Sequence, residues 1–259
     1  MSSNTKTKSR REGASAASSI IVLPELRETK HRGKVFEPLN RSQEAYLAKI
    51  ETSVITFGIG PAGTGKTFLA AKAAADAFQA KEIDQVLITR PVVEAGERLG
   101  FLPGDLNEKY YPYVQPFLEA LKRHMGSGQV DALIQHGKIE FSPLAYMRGH
   151  SWDRSFVVMD EAQNTTPAQM KLFLTRIGKG TTVVVDGDIS QKDETEKVKY
   201  RGLEDAIARL ESVRGVAVQR FSHHDIVRSG IVKDIICAYS DEPFELEDDS
   251  EGVIRFITK

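Results

Sequence analysis

Gly60-Pro61-Ala62-Gly63-Thr64-Gly65-Lys66-Thr67 matches the phosphate-binding pattern G-x-x-x-x-G-K-[ST] at every fixed position. Each residue type answers a physical need. The glycines let the backbone wrap closely, so that main-chain N–H groups point at phosphate oxygens. The positive end of the following helix faces the same anion. In this pattern Lys66 reaches the β- and γ-phosphates, and the Thr67 hydroxyl ligates Mg²⁺. The flanks agree, since residues 53–60 read as a strand and residues 66–80, rich in Ala, read as a helix. Gly60, Pro61, Ala62, Gly63, Thr64, Gly65, Lys66 and Thr67 are therefore the expected nucleotide contacts, with ATP and Mg²⁺ as the ligands.

Outward from this loop, short apolar runs alternate with amphipathic segments. Residues 85–91, 156–160, 182–186 and 216–221 read as strands. The continuous apolar character of 156–160 and 182–186 is that of strands buried on both faces of a parallel sheet. Helices are predicted over 167–177, 202–210 and 225–239, the first with Pro167 in its opening turn and Thr165 or Thr166 as cap. The alternation predicts an α/β domain with a mostly parallel sheet and helices on both faces.

The run Val157-Val158-Met159-Asp160-Glu161-Ala162-Gln163 supplies the second half of a reaction centre. An apolar strand ending in Asp places a carboxylate at the sheet's C-terminal edge, where Asp160 can hold the Mg²⁺ shell with Thr67. The adjacent Glu161 can polarise an attacking water. That carboxylate favours hydrolysis over transfer to a small molecule, which requires water to be excluded. A third strand ends in Asp186-Gly187-Asp188 and runs on to Gln191. A polar amide there can sense the γ-phosphate, with Asp186 or Asp188 as supporting or capping groups, although Asp-Gly-Asp is also an everyday turn.

Composition bounds the rest. The 259 residues are 41% hydrophobic and 27% charged, with 35 Lys+Arg against 36 Asp+Glu. A near-zero balance means that any nucleic-acid footprint must be a local patch. Cys237 is the only cysteine, which excludes an intrachain disulfide and a Cys-based zinc site. The apolar run 20–23 is far too short for a signal core or a membrane span, so no membrane role is expected and the cytoplasm is the expected location. Residues 1–19 read as a disordered basic tail and 20–37 as an N-terminal extension. Residues 38–240 read as the catalytic domain and 241–259 as an acidic tail, with seven acidic residues in the eleven from 241 to 251.

Within the domain, residues 94–152 break the strand–helix rhythm. They form an elaboration with a helix near 114–124 and a strand near 138–141. Its cations Lys109, Lys122, Arg123, Lys138 and Arg148 interleave with Tyr110, Tyr111, Tyr113, Phe117, Phe141 and Tyr146. Such mixtures hold single-stranded nucleic acid. Most of these rings are expected in the core, with Tyr110, Tyr111 and Tyr113 left open. The six histidines are read as structural.

The order Leu39-Asn40-x-x-Gln43, the glycine-rich loop, Thr89-Arg90-Pro91, Asp160-Glu161-Ala162-Gln163-Asn164 and Gly187-Asp188-x-x-Gln191 resembles the first half of superfamily-one helicases. The span 38–239 more closely resembles the PhoH family. The residues that carry this are Ile88-Thr89-Arg90-Pro91-Val92-Val93, Gly100-Phe101-Leu102-Pro103-Gly104-Asp105, Asp160-Glu161-Ala162-Gln163-Asn164 and Asp225-Ile226-Val227-Arg228. The resemblance implies a single RecA-like domain and an ATPase with a helicase-type core, associated with RNA. It also implies that Gln43 recognises adenine and that Gln191 senses the γ-phosphate.

One such domain lacks the second that would close over ATP and supply an arginine. A neighbouring copy is the simplest source, so a homo-oligomer is expected, a closed ring such as a hexamer. Arg228 is the first candidate for that arginine and Arg201 the second. The leading functional expectation is an ATP-hydrolysing motor or switch on single-stranded RNA or DNA. The alternative is an ATP-regulated assembly scaffold with slow hydrolysis.

Overall fold

The structure, a computed structural model, describes residues 36–91, 106–147, 151–191, 201–232 and 235. Six parallel strands form one sheet: β1 (Ile55–Ile59), β2 (Gln85–Thr89), β3 (Ile139–Phe141), β4 (Ser155–Met159), β5 (Thr182–Gly187) and β6 (Val216–Arg220). Their order across the sheet is β3-β2-β4-β5-β1-β6. This is the RecA-like arrangement. Strand β5 separates β1, which leads into the phosphate loop, from β4, which carries Asp160. The three motif-bearing strands are thus neighbours, and all end at the same edge.

Burial on both faces explains the apolar runs. All five residues of β4 are buried, as are Val183, Val184, Val185 and Asp186 in β5. One face packs against α1 (Arg41–Thr52), α2 (Lys66–Gln79), α3 (Leu106–Met125) and α4 (Ser127–Gln135). Its core includes Tyr46, Leu69, Val86, Ile88, Phe117 and Leu121. The other face packs against α5 (Pro167–Leu174) and α6 (Gly202–Leu210) through Phe57, Leu87, Val157, Met159, Phe173 and Leu203. Alternate residues of one strand feed opposite cores, as period-2 geometry requires. Among the described residues, no helix is long and apolar enough to cross a membrane.

Several elements differ from the sequence expectation. Helix α1 has only Gln43, Tyr46 and Ile50 buried, so its stripe is too sparse for periodicity to reveal. Asn40 starts it, its side chain accepting from the Gln43 amide at 2.9 Å. Helix α4 buries only Val130 and Leu133. Helix α3 begins two turns before the predicted one and carries Pro112 and Pro116 within it. Thr166 caps α5 in a reciprocal capping box with Gln169. The strand expected near 138–141 is present as β3, which pairs with β2 in the register Val86↔Ile139 and extends the sheet.

Of the helix expected over 225–239, residues 225–229 are not α-helical. A short 3₁₀ turn, His223–Asp225, is closed by Ser222 and Asp225. The chain then runs extended through Ile226, and helix resumes only at Gly230. The expected tails, 1–19 and 241–259, the extension as far as residue 35, and Gly100–Asp105 of the motif set lie outside the described residues.

Candidate active site

The phosphate loop grows out of β1. Gly60 (φ 147°) follows its last residue, and a Cβ there would lie 2.5 Å from the Phe221 carbonyl oxygen, so a side chain has no room. The Gly60 amide donates to the Gly187 carbonyl at 3.1 Å, which ties the loop to the end of β5. Gly65, at φ 90° and ψ 9°, is the N-cap of α2 and offers no side-chain cap. The first-turn amides of α2 therefore point toward the loop without a competing side-chain acceptor at the cap.

Lys66 curls back over the loop, its Nζ donating to the carbonyls of Gly60 (2.7 Å) and Pro61 (2.9 Å). The Gln43 side chain is buried against the same loop. It donates to the Thr64 carbonyl (3.0 Å) and accepts from the Leu39 amide (2.9 Å). Both ends of the amide are thus engaged with protein, one holding the loop in place.

The Thr67 hydroxyl lies 3.4 Å from Oδ2 of Asp160, within hydrogen-bond reach. The two expected Mg²⁺ ligands converge although 93 residues separate them. Withdrawal from water, and then the charge of Glu161, push the Asp160 carboxyl above its ordinary range, opposed by Arg90, the Glu161 amide and Lys66. A divalent cation beside this oxygen pair would relieve the penalty. Gln43, Gly63, Lys66, Thr67, Asp160 and Glu161 line one cavity of about 530 Å³.

Glu161 sits in the left-handed region (φ 54°, ψ 39°) at the turn out of β4, a conformation that non-glycine residues adopt at a cost. Both its carboxylate oxygens are held. Arg90 Nη2 donates to Oε1 at 3.0 Å, and Gln163 Nε2 donates to Oε2 at 2.5 Å. Gln163, itself buried, also accepts from the Asp188 amide at 3.0 Å. One amide therefore connects the carboxylate of Glu161 to the turn after β5. Gly187 must remain glycine there, because a Cβ would meet Leu203 at 2.6 Å and the Gln163 side chain at 2.9 Å.

A profile of the family described as "PhoH-like protein" matches residues 35–240. The chain belongs to the PhoH family. A PhoH-like protein of Mycobacterium tuberculosis (strain ATCC 25618 / H37Rv) is 46% identical over 209 residues, 81% of this chain and 59% of that protein. One from Bacillus subtilis (strain 168) is 46% identical over 208 residues, 80% of this chain and 65% of its own length. Protein PhoH of Escherichia coli (strain K12) is 44% identical over 203 residues, 78% and 57% of the two chains. The match thus spans about three-fifths of these relatives.

Solved structures with a similar fold include the large terminase of a thermophilic bacteriophage and the Pif1 helicase of Candida albicans. The first is 11% identical, covers 77% of this chain and 50% of its own, and has a TM-score of 0.49. The second is 17% identical, covers 72% and 41%, and has a TM-score of 0.37. Overlaps this loose carry no argument about function.

Of the Asp225–Arg228 stretch of the PhoH-family motif set, Val227 and Arg228 line the cavity. Arg228 lies by its own chain's loop, its Cγ 3.0 Å from where a Gly63 Cβ would stand. The strap that carries it is fastened by the Val227 amide donating to the Gly63 carbonyl at 3.0 Å. Arg201 is exposed at the start of α6. Gln191 ends the 3₁₀ turn Ile189–Gln191, and its side chain lies outside the described residues. Asp188 caps this turn, its Oδ1 accepting from the Ser190 amide (3.0 Å) and hydroxyl (2.6 Å).

Among the described residues, the mixture expected to bind a single strand divides between core and surface. Tyr110 and Phe117 are buried, whereas Tyr146 is 64% exposed, against the expectation of core. Lys122 pairs with Asp131 at 2.8 Å, and Arg123 lines the nucleotide cavity. The side chain of Lys109 and the whole of Arg148 lie outside the described residues. Sequence reasoning named no role for Arg90, Gln163 or Tyr46, and left Tyr110 open between core and a stacking ring. Arg90 and Gln163 stood inside quoted motifs, but nothing in their spacing shows that both converge on Glu161.

Proposed function

We propose that this chain binds ATP with Mg²⁺, hydrolyses it, and uses the cycle as a helicase-like motor or switch on single-stranded RNA or DNA. One observation carries the reading: Lys66 and Thr67 from a helix start, and Asp160 and Glu161 from a strand end, face a single cavity. Thr67 and Asp160 would hold Mg²⁺, whose chemistry is to neutralise phosphate charge. Lys66 would exchange its loop carbonyls for phosphate oxygens. The water oxygen attacks the γ-phosphorus, its proton passes to Glu161, and the bond to the bridging oxygen breaks with its electron pair left on ADP. Arg228, over the loop of the same chain, adds a cation for the phosphates in cis. The ring expected from the sequence then has Arg201 as its remaining candidate for an arginine in trans.

The test is phosphate release from Mg²⁺-ATP by the full chain, with and without poly(U) and poly(dT), beside light scattering for assembly. Stimulation by either polymer supports the motor or switch. Hydrolysis indifferent to both supports an ATP-regulated assembly scaffold instead. Lys66→Ala is the control. Loss of a charged partner should weaken ATP binding about 10–100-fold, and undiminished affinity in the folded variant would sink the site.

A further inference from the structure

Strands β2 and β4 are neighbours with Thr89 opposite Met159, and the Asp160 amide donates to the Thr89 carbonyl at 3.0 Å. The two chains therefore leave the sheet side by side, and Arg90, next after β2, meets Glu161, second after β4. Glu161 lines the nucleotide cavity and Arg90 does not, so the guanidinium grips the carboxylate from behind. Arg90 is itself fixed by α3. Its amide donates to the buried Tyr110 hydroxyl (2.5 Å), that hydroxyl donates to its carbonyl (3.1 Å), and Nη1 donates to the Tyr113 carbonyl (3.2 Å).

We propose that Arg90 is a positioning residue that restrains Glu161, and that a phosphodiester of a bound single strand releases the restraint by taking the guanidinium. The inference rests on the hydrolytic, strand-dependent reading above. Its chemistry is direct. When Glu161 accepts the water proton it loses the negative charge that Arg90 holds, so the pair opposes the transfer until it opens. The pair is reachable, with side chains 27% and 30% exposed. Guanidinium takes phosphate oxygens in a two-bond fork, which suits it to exchange a carboxylate for a phosphodiester. Helix α3, which anchors the guanidinium, also carries Tyr111, 38% exposed, a ring available to a base.

The experiment compares steady-state phosphate release by the wild-type full chain, Arg90→Gln and Arg90→Lys, each with and without poly(U). Partly exposed ion pairs set the scale, so Arg90→Gln should raise basal kcat about 2- to 5-fold with KM unchanged. Poly(U) should then add little. Arg90→Lys, which keeps the charge but loses the fork, should fall between. A basal kcat for Arg90→Gln at or below wild type overturns the restraint. Stimulation of Arg90→Gln by the same factor as wild type overturns the release. Should Arg90→Gln not fold, the Lys variant decides: a raised basal rate with reduced stimulation supports the inference, and wild-type values for both overturn it. Wild-type protein that releases no phosphate, or ignores poly(U), would instead sink the functional reading on which this rests.

Discussion

The Tyr46 hydroxyl, from α1, donates to Oδ1 of Asp186 at the end of β5, across 140 residues of sequence. Asp186 is fully buried, and its other oxygen has no hydrogen-bond partner among the described residues. Burial, and then the charge of Asp160, push its carboxyl up to about 8, against the opposing hydrogen bond from Tyr46 and the charge of Lys66. The same burial lifts the Tyr46 phenol well above its ordinary range. At neutral pH the pair is a phenol bonded to a largely neutral acid, directly under the phosphate loop.

This pairing makes a stability prediction with a definite sign. The folded chain keeps a proton on Asp186 that the unfolded chain releases near the ordinary aspartate range. Stability should therefore fall as pH rises from about 4 to about 8, the interval over which only the folded state is protonated. Asp186→Asn keeps an acceptor for Tyr46 and removes the titration. Thermal melting across roughly pH 5–9 should show the variant gaining on wild type as pH rises. Parallel curves would show that Asp186 is ionised in the fold.

Glu161→Gln tests the water-activating role. The amide keeps the shape but cannot take the proton, so ATP binding should persist while turnover falls roughly 10²- to 10⁴-fold. Calorimetric titration and phosphate release separate the two effects. A wild-type turnover number would assign the base to another residue.

The buried amide of Gln163 joins Glu161 to the Asp188 backbone. In Gln163→Ala the Asp188 amide loses its acceptor below the surface, which should cost about 1–3 kcal/mol of stability. Turnover should fall, because the neutral Gln163 amide orients Glu161 without holding its charge as Arg90 does. Denaturant unfolding and phosphate release check both, and unchanged stability would mean that water replaces the amide without loss.

The placement of Arg228 over its own loop predicts failure of complementation. Lys66→Ala subunits with intact Arg228, mixed with Arg228→Ala subunits carrying an intact loop, should regain no activity beyond the sum of the parents. Arg228→Ala alone should weaken ATP binding by roughly tenfold, as loss of a charged contact does. Recovery of activity in the mixture would return Arg228 to a neighbour's site.

The sequence by itself determined the loop, the strands on either side of it and the two carboxylates, because each is written in consecutive residues. A glycine-rich turn between an apolar run and an Ala-rich helix has few other uses. An apolar run closed by Asp160-Glu161 needs no distant partner to be read. It also placed β5 and α6 within a residue or two, since buried parallel strands and capped helices carry their own periodicity. Helices α1 and α4 escaped it because each has only two or three buried positions. Only tertiary structure decided which strands are adjacent, and most of the site's chemistry follows from that. The β2–β4 pairing brings Arg90 to Glu161, β5 brings Asp188 to Gln163, and packing of α1 brings Tyr46 to Asp186. It also turned Arg228 back onto its own loop, through one main-chain bond from Val227 to Gly63. Such contacts join residues tens to more than a hundred positions apart, and no local pattern records them.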